Sequence, residues 1–206
     1  MAEKHSGADV ERTAAEEADL VRRAQHGQVD AFEAIFRRYQ ARIYTFLHHM
    51  VRRREEAEDL TQTTFVRAWD TIQGLRSPGA LGAWLHRIAA NAARDYLKSA
   101  RRKSELPLFE DALSEGTMGH EPAPDPARDA LDAETRKAVR GAIAALPELH
   151  RSVVVMHHLE GMSVDDIAKA LGVRAGTVMS RLSRAREALR DALAEHLDLD
   201  ADSNGW

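Results

Sequence analysis

The most suggestive residue pattern lies between positions 84 and 98, where an aromatic ring, an amide and three cations recur at helical spacing. On a helix these residues share one narrow stripe; they are Trp84, Arg87, Asn91, Arg94 and Lys98. Arginine and lysine neutralise phosphate, an indole stacks on an unpaired base, and asparagine hydrogen-bonds to a base edge. The stripe therefore predicts a surface for a nucleic-acid strand. The alternative for Trp84 alone is that it closes the helix core.

A second candidate site has the spacing of a helix-turn-helix. Ser163 and Asp166 predict a helix N-cap and Gly172 predicts the turn, followed by a second helix whose buried face begins at Val178. The outward residues near its start, which contact base edges in such motifs, are Ser180 and Arg184, with Met179 and Ser183 beside them. The residues predicted to hold phosphates are Arg174, Thr177, Arg181, Arg186 and Arg190. The alternative is a structural helical hairpin whose arginines are only solvated.

A third stripe lies on an earlier predicted helix, at about residues 55–73. It consists of Asp59, Gln62, Val66 and Trp69, at spacings of three, four and three. Val66 and Trp69 are more apolar than a solvated face requires, so the stripe is a candidate docking surface for a partner helix. The alternative is that Trp69 packs on the preceding helix.

Enzymatic or metal chemistry is not indicated. The candidate ligands are two adjacent pairs, His48 with His49 and His157 with His158. Adjacent residues on a helix point about 100° apart, and no acidic partner lies at ligand spacing. The chain has no cysteine, which excludes disulfides and thiolate-bound metals within it. We therefore expect no cofactor and no enzymatic activity.

The elements that position these residues are expected to be helices only. Strand patterns are absent, and Ala, Arg, Leu and Glu dominate. The sequence predicts an all-α fold of two small helical domains, residues 20–103 and 131–193, joined by a flexible, Pro-rich acidic linker at 104–130. Residues 1–19 are expected to be a disordered extension, and residues 194–206 an acidic tail. Within the first domain, Asp30 with Glu33 predicts a helix N-cap.

The distribution of charge supports a nucleic-acid partner. The net charge is −4, yet residues 84–103 carry +5 and residues 172–190 carry +4. Because electrostatic attraction to phosphate acts over about 8 Å, local charge matters more than the total. No apolar run approaches the about 18 residues of a membrane span, and the N-terminus lacks a signal-peptide core. We expect no membrane insertion and a cytoplasmic location.

Two stretches resemble a known family. Residues 30–103, with Glu58-Asp59-Leu60-Thr61-Gln62 and Trp84-Leu85-His86-Arg87-Ile88-Ala89-Ala90-Asn91, resemble region 2 of the extracytoplasmic-function (ECF) sigma factors of bacterial RNA polymerase, in the sigma-70 superfamily. Residues 146–190, with Leu146-Pro147-Glu148 and Gly176-Thr177-Val178-Met179-Ser180-Arg181, resemble region 4. The two stretches occur in the order and spacing of that family. Together they cover more than half of the chain.

The resemblance implies a transcription initiation factor. Region 2, a helical bundle, would dock through the third stripe on the clamp helices of the largest polymerase subunit. It would open the −10 promoter element and capture a flipped base with Leu75, Arg76, Ser77 and Asn91. Region 4 would recognise the −35 element as duplex and contact the flap of the second largest subunit. An anti-sigma protein is a further expected partner.

Two other classes of protein remain open at this point. A stand-alone helix-turn-helix regulator would bind duplex DNA tightly without polymerase, with an affinity that depends steeply on salt. A helical adaptor that never touches DNA would tolerate loss of Arg184 and Asn91.

Overall fold

The computed structural model describes residues 3–102 and 126–203, with side chains from 12 to 101 and from 134 to 194. Every regular element in these ranges is helical, which confirms the all-α prediction. The helices are α1 (Glu3–Gln25), α2 (Val29–Val51), α3 (Arg54–Thr71), α4 (Leu81–Arg102), α5 (Pro126–Ala145), α6 (Glu148–Val154), α7 (Val164–Leu171) and α8 (Ala175–Ser203). Two 3-10 turns, Ile72–Gly74 and Pro78–Ala80, join α3 to α4, and a π-helical segment, Val155–Leu159, follows α6.

The first domain is a bundle in which α2 contacts α1, α3 and α4. Its apolar residues recur at helical spacing, so one face of α2 is buried along its whole length. Ile35, Ile43, Phe46 and Leu47 are fully buried there, facing the other helices of the bundle. This core fixes the rotation of α3 and α4, and thereby decides which of their residues face solvent.

Helix α1 begins at Glu3, so the structure is helical within the extension expected to be disordered at residues 1–19. Contacts with the bundle hold the later part of this helix. The Tyr39 hydroxyl donates a hydrogen bond to the Glu17 carboxylate at 2.6 Å. Val21 and Ala24 are buried against the bundle. The first domain therefore includes residues ahead of its expected boundary at 20.

The N-cap predicted at Asp30 is wrong. Helix α2 begins at Val29, and its N-cap residue is Gln28, whose side chain makes no capping hydrogen bond. Arg23 of α1 pairs with the Asp30 carboxylate and also donates to the Gln28 side chain. The Asp30 side chain, which was expected to cap the helix, instead joins α2 to α1 through Arg23.

The second domain comprises α5 to α8 around a core that includes Val153, Met156, Ile167 and Val178. Helix α5 begins at Pro126, ahead of the expected boundary at 131, and the rest of the predicted linker lies outside the described residues. Helix α8 extends to Ser203, into the tail predicted at 194–206. No glycine or proline interrupts residues 177–203, so nothing in the sequence ends this helix earlier.

The two domains pack against each other. Helix α7 contacts α4, helix α6 contacts α2, and the buried residues of both domains form one continuous cluster. Arg42 of α2 lies 3.7 Å from the Glu160 carboxylate and donates to the Glu160 carbonyl at 3.3 Å. Arg101 lies 3.6 Å from Glu148. Among the described helices, none is long and apolar enough to cross a membrane.

Candidate nucleic-acid interface

Helix α4 presents the predicted cationic stripe to solvent. Arg87, Asn91, Arg94 and Lys98 are all exposed. The opposite face, which includes Leu81, Leu85, Ala89 and Ala93, is buried. The helical period therefore places an amide and three cations on one accessible surface, as the spacing predicted.

Asn91 is held in one orientation by its neighbour. Arg94 donates a hydrogen bond from Nη1 to Asn91 Oδ1 at 2.9 Å. The oxygen of the amide is therefore engaged, and its two N–H donors remain directed to a partner. An amide with a fixed donor edge is suited to the acceptor atoms of a base, while the guanidinium adds positive charge for phosphate.

The remaining region 2 candidates differ in accessibility. Trp84 is partly buried and packs against the core, so only part of its indole is available for stacking. In the loop between α3 and α4, Arg76 and Ser77 are exposed, whereas Leu75 is only 7% exposed. The Leu75 side chain points into the core, so among these three loop residues only Arg76 and Ser77 present their side chains to solvent.

The helix-turn-helix of the second domain has the expected geometry. Ser163 Oγ accepts a hydrogen bond from the Asp166 backbone N–H at 3.1 Å, which confirms the predicted cap of α7. Gly172 has φ of 65°, a left-handed conformation that glycine adopts without strain, and turns the chain into α8. Val178, Leu182 and Ala185 form the buried face of α8.

The outward face of α8 is open to a ligand. Met179 is 56% exposed, and the other predicted base-contacting residues, Ser180, Ser183 and Arg184, are exposed as well. Arg174, Arg186 and Arg190 are exposed around them, while Thr177 and Arg181 are partly buried. Arg181 lines a small cavity between the domains, together with Arg94 and Glu148. The face carries hydroxyls, one guanidinium and a thioether where base edges would lie, with cations at its border.

Helix α3 displays the third predicted stripe. Asp59 and Gln62 are exposed, and Val66 is 62% exposed although it is apolar. Trp69 is partly buried, with its ring edge-on to Phe32 of α2 at a centroid distance of 5.0 Å. Packing on the preceding helix, the alternative considered for Trp69, is therefore present, and it leaves part of the indole at the surface.

Sequence reasoning missed one residue beside this stripe. Val29, at the start of α2, is 68% exposed and lies one helical turn before Phe32, the residue that contacts Trp69. An apolar residue at position i−3 from a partly buried aromatic residue was the available signal. We use the name docking stripe for Asp59, Gln62, Val66 and Trp69.

Two buried polar residues, His86 and Glu160, lie where the domains meet, beside the exposed Arg42. A cavity of about 140 Å³ is lined by residues of both domains, including Arg42, His86 and Glu160. His86 donates from Nδ1–H to the Gly82 carbonyl at 2.9 Å, and its Nε2 has no hydrogen-bond partner among the described residues. Burial lowers the pKa of His86 and raises the pKa of Glu160 to about 7, although Arg42 opposes the shift at Glu160.

The raised pKa of Glu160 makes stability depend on pH. The folded chain holds the proton up to about pH 7, whereas the unfolded chain releases it near the ordinary value of 4.5. This stabilising contribution is complete below the unfolded pKa and is lost as pH rises to the folded pKa. The free energy of unfolding of Glu160→Gln lacks this dependence on pH. We therefore expect the difference between the variant and the wild type to shift by about 1 to 3 kcal/mol in favour of the variant as pH rises from 5 to 8.

Denaturant unfolding of the variant and the wild type at pH 5 and at pH 8 measures this difference in the free energy of unfolding. The control is Glu55→Gln, which alters an exposed carboxylate at the start of α3. Its stability should follow that of the wild type across the range. A constant difference between Glu160→Gln and the wild type would contradict the assignment.

The histidine pairs do not form a metal cluster in the described part of the chain, where no group of three potential ligands occurs. The rings of His48 and His49 are 6.2 Å apart and nearly perpendicular. Burial lowers the pKa of His49 to about 4. In the structure, these rings are part of the packing between α2 and its neighbours.

Comparison with known proteins identifies the family. Residues 35–103 match Sigma-70 region 2, and residues 136–189 match Sigma-70, region 4. The RNA polymerase sigma-H factor of Pseudomonas aeruginosa is 33% identical over 184 residues, covering 88% of this chain and 95% of the relative. The ECF RNA polymerase sigma-E factor of Haemophilus influenzae is 33% identical over 180 residues, covering 84% of this chain and 93% of the relative. The chain belongs to the ECF sigma factors.

Other similarities agree with this membership in the ECF sigma factors. The ECF RNA polymerase sigma factor SigE of Mycolicibacterium smegmatis is 34% identical over 175 residues, and the match spans 84% of this chain but 65% of that protein. CnrH, solved in complex with the cytosolic domain of CnrY, has the same fold, with a TM-score of 0.64 and 24% identity over 87% of this chain and 98% of CnrH. Sigma factors are transcription initiation factors, and in this one α4 belongs to region 2 and α8 to region 4.

Proposed function

We propose that this ECF sigma factor binds core RNA polymerase and directs initiation at specific promoters. Region 2 opens and recognises the −10 element, and region 4 recognises the −35 element as duplex. The observation that carries this proposal is that one chain exposes two separate surfaces with arginines, the α4 stripe and the outward face of α8. A duplex-binding regulator needs only the second of these surfaces.

The docking stripe supplies the contact with polymerase. Its exposed apolar residue, Val66, is flanked by Asp59 and Gln62, so a partner helix would bury the valine and hydrogen-bond at the edges. We assign this surface to the clamp helices of the largest subunit. Region 4 would contact the flap of the second largest subunit.

The energy of DNA opening requires such a partner. Separating the strands costs about 1.4 kcal/mol per stacked step, and flipping a base costs a few kcal/mol more. A stripe of five side chains on α4 does not supply this alone. The sigma factor therefore contributes promoter specificity, while polymerase provides the catalysis and most of the surface that binds DNA. We place this activity in the cytoplasm.

An anti-sigma protein is a further proposed partner. The sigma factor RpoE from Bartonella quintana was solved in complex with the anti-sigma factor NepR, and it has a TM-score of 0.63 with this chain at 23% identity, covering 79% of this chain and 96% of RpoE. The exposed docking stripe and the α8 face are surfaces that such a protein would have to cover to block activity.

The test is initiation by reconstituted polymerase. The purified chain is mixed with sigma-free bacterial core RNA polymerase and genomic DNA fragments, and transcript start sites are mapped. We expect co-elution with the core enzyme and new start sites that the core enzyme alone does not use. Tight, specific duplex binding by the chain alone, without start sites in the presence of active core enzyme, would instead establish a stand-alone regulator.

A further inference from the structure

The loop that follows α3 is held by a glutamine from a distant part of the sequence. Gln25, the last residue of α1, donates from Nε2 to the Ile72 carbonyl at 3.0 Å and to the Leu75 carbonyl at 2.9 Å. In return, Gln73 donates from its side chain to the Gln25 carbonyl. Both N–H groups of the Gln25 amide are therefore used, and both acceptors lie in the connection between α3 and α4.

These bonds hold the first part of the connection that follows α3. The Ile72 carbonyl accepts from the Leu75 backbone N–H at 3.0 Å as well as from Gln25, and the Leu75 carbonyl, which lies outside the helices, accepts from Gln25. The Leu75 side chain is buried. Leu75 is thus fixed by its side chain, its N–H and its carbonyl.

The exposed part of the loop is consequently short and fixed at both ends. Arg76 and Ser77 are exposed, and they follow directly on Leu75. After them, Pro78 begins a 3-10 turn that is closed by a 3.0 Å bond from the Ala80 N–H to the Ser77 carbonyl. Two accessible residues between two fixed ends form a pre-organised surface, which a ligand can bind without ordering the loop first.

We propose that Gln25 is a positioning residue for promoter recognition, since it holds Arg76 and Ser77 in the conformation that selects one base of the −10 element. This inference rests on the proposed function. Gln25 would not touch DNA itself, because its amide is occupied by the two carbonyls. Its loss would release the loop and remove the preference at that one base.

The experiment uses holoenzyme reconstituted with the full chain and a promoter that the wild type uses, with each −10 position varied in turn. Gln25→Met keeps the length of the side chain but removes both donors. Gln25→Lys restores a donor. The matched control is Gln40→Met, because Gln40 is an exposed glutamine on α2.

We expect Gln25→Met to lower discrimination at one −10 position from about tenfold to less than about threefold. Discrimination at the other −10 positions and at the −35 element should not change. Gln25→Lys should recover part of the lost preference, and Gln40→Met should behave as the wild type. A merely structural role would instead reduce initiation from every promoter by the same factor.

Three outcomes separate the possible failures. Unchanged discrimination in Gln25→Met, or an equal loss at all positions, would overturn the positioning role. Absence of promoter-specific initiation by the wild-type holoenzyme would overturn the proposed function itself. If the melting temperature of Gln25→Met is well below that of the wild type, Gln25→Asn replaces it as the test variant. The shorter asparagine amide cannot span both carbonyls. We then expect an intermediate loss of discrimination, confined to the same −10 position.

Discussion

Replacing Val66 with glutamate is expected to weaken binding to core RNA polymerase by at least about 100-fold, because a few central residues dominate the energy of an interface. Val66 is the most exposed residue of the apolar part of the docking stripe, so it would be buried when a partner helix binds. A carboxylate at this position would be desolvated when the partner binds, and the residues one helical turn away, Gln62, Thr63, Trp69 and Asp70, include no cation to pair with it. Burying an unpaired charge is costly. The fold should remain intact, since the side chain makes little contact within the chain.

Co-elution with core enzyme and competition with labelled wild type measure the effect. The matched control is Met179→Glu, which places the same charge on an exposed apolar residue of α8. We expect this variant to bind core enzyme normally but to lose −35 recognition. Equal affinity of Val66→Glu and the wild type for core enzyme would show that the docking surface lies elsewhere.

Replacing Arg184 with alanine is expected to reduce discrimination between the preferred −35 duplex and substituted duplexes by about 10-fold to 100-fold. Arg184 is exposed on the outward face of α8, and buried Leu182 and Ala185 beside it fix the rotation of the helix. A guanidinium held in this way can form two hydrogen bonds to one base. Its loss removes selectivity as well as charge.

Arg186→Ala is the matched control for charge. Arg186 is also exposed on α8, and it is assigned to a phosphate. Its removal should weaken preferred and substituted duplexes alike and reduce the dependence of affinity on salt by about one unit of slope. Holoenzyme binding to labelled duplexes over a range of salt concentrations measures both variants. If Arg184→Ala behaves like Arg186→Ala, the base contact is assigned to the wrong residue.

The helix faces were predictable because the helical period alone decides them. Once Leu85 and Ala89 are placed inside, Arg87, Asn91 and Arg94 must point outward, and they do. The same argument places Arg184 on the exposed face of α8, because Leu182 lies on the buried face. The cap at Ser163 is equally local, since its partner is only three residues away.

Three of the features that sequence reasoning missed depend on partners from another helix. Arg23 of α1 pairs with Asp30, so a residue pattern typical of a cap joins two helices instead. Leu75 lies in a loop by sequence, but the core accepts its side chain and Gln25 holds its carbonyl.

Glu160 illustrates the same point over a longer distance. Its position just before the helix-turn-helix gives no sign of a distant partner, yet its carboxylate is buried against Arg42, which lies more than a hundred positions earlier. Periodicity describes one helix at a time, and it contains no information on which distant side chain covers a turn. The exposed face of each helix was therefore predictable from the sequence. The contacts that join one helix to another were not.

The packing of region 4 against region 2 is an energetic cost for any state in which the two regions separate. Such a separation must break the contacts between α4 and α7 and the hydrogen bond from Arg42 to the Glu160 carbonyl. A binding partner moves the two regions apart only as far as it binds the separated state more tightly than the packed one. The free energy of this internal interface is therefore part of the affinity that any partner of the separated state would show.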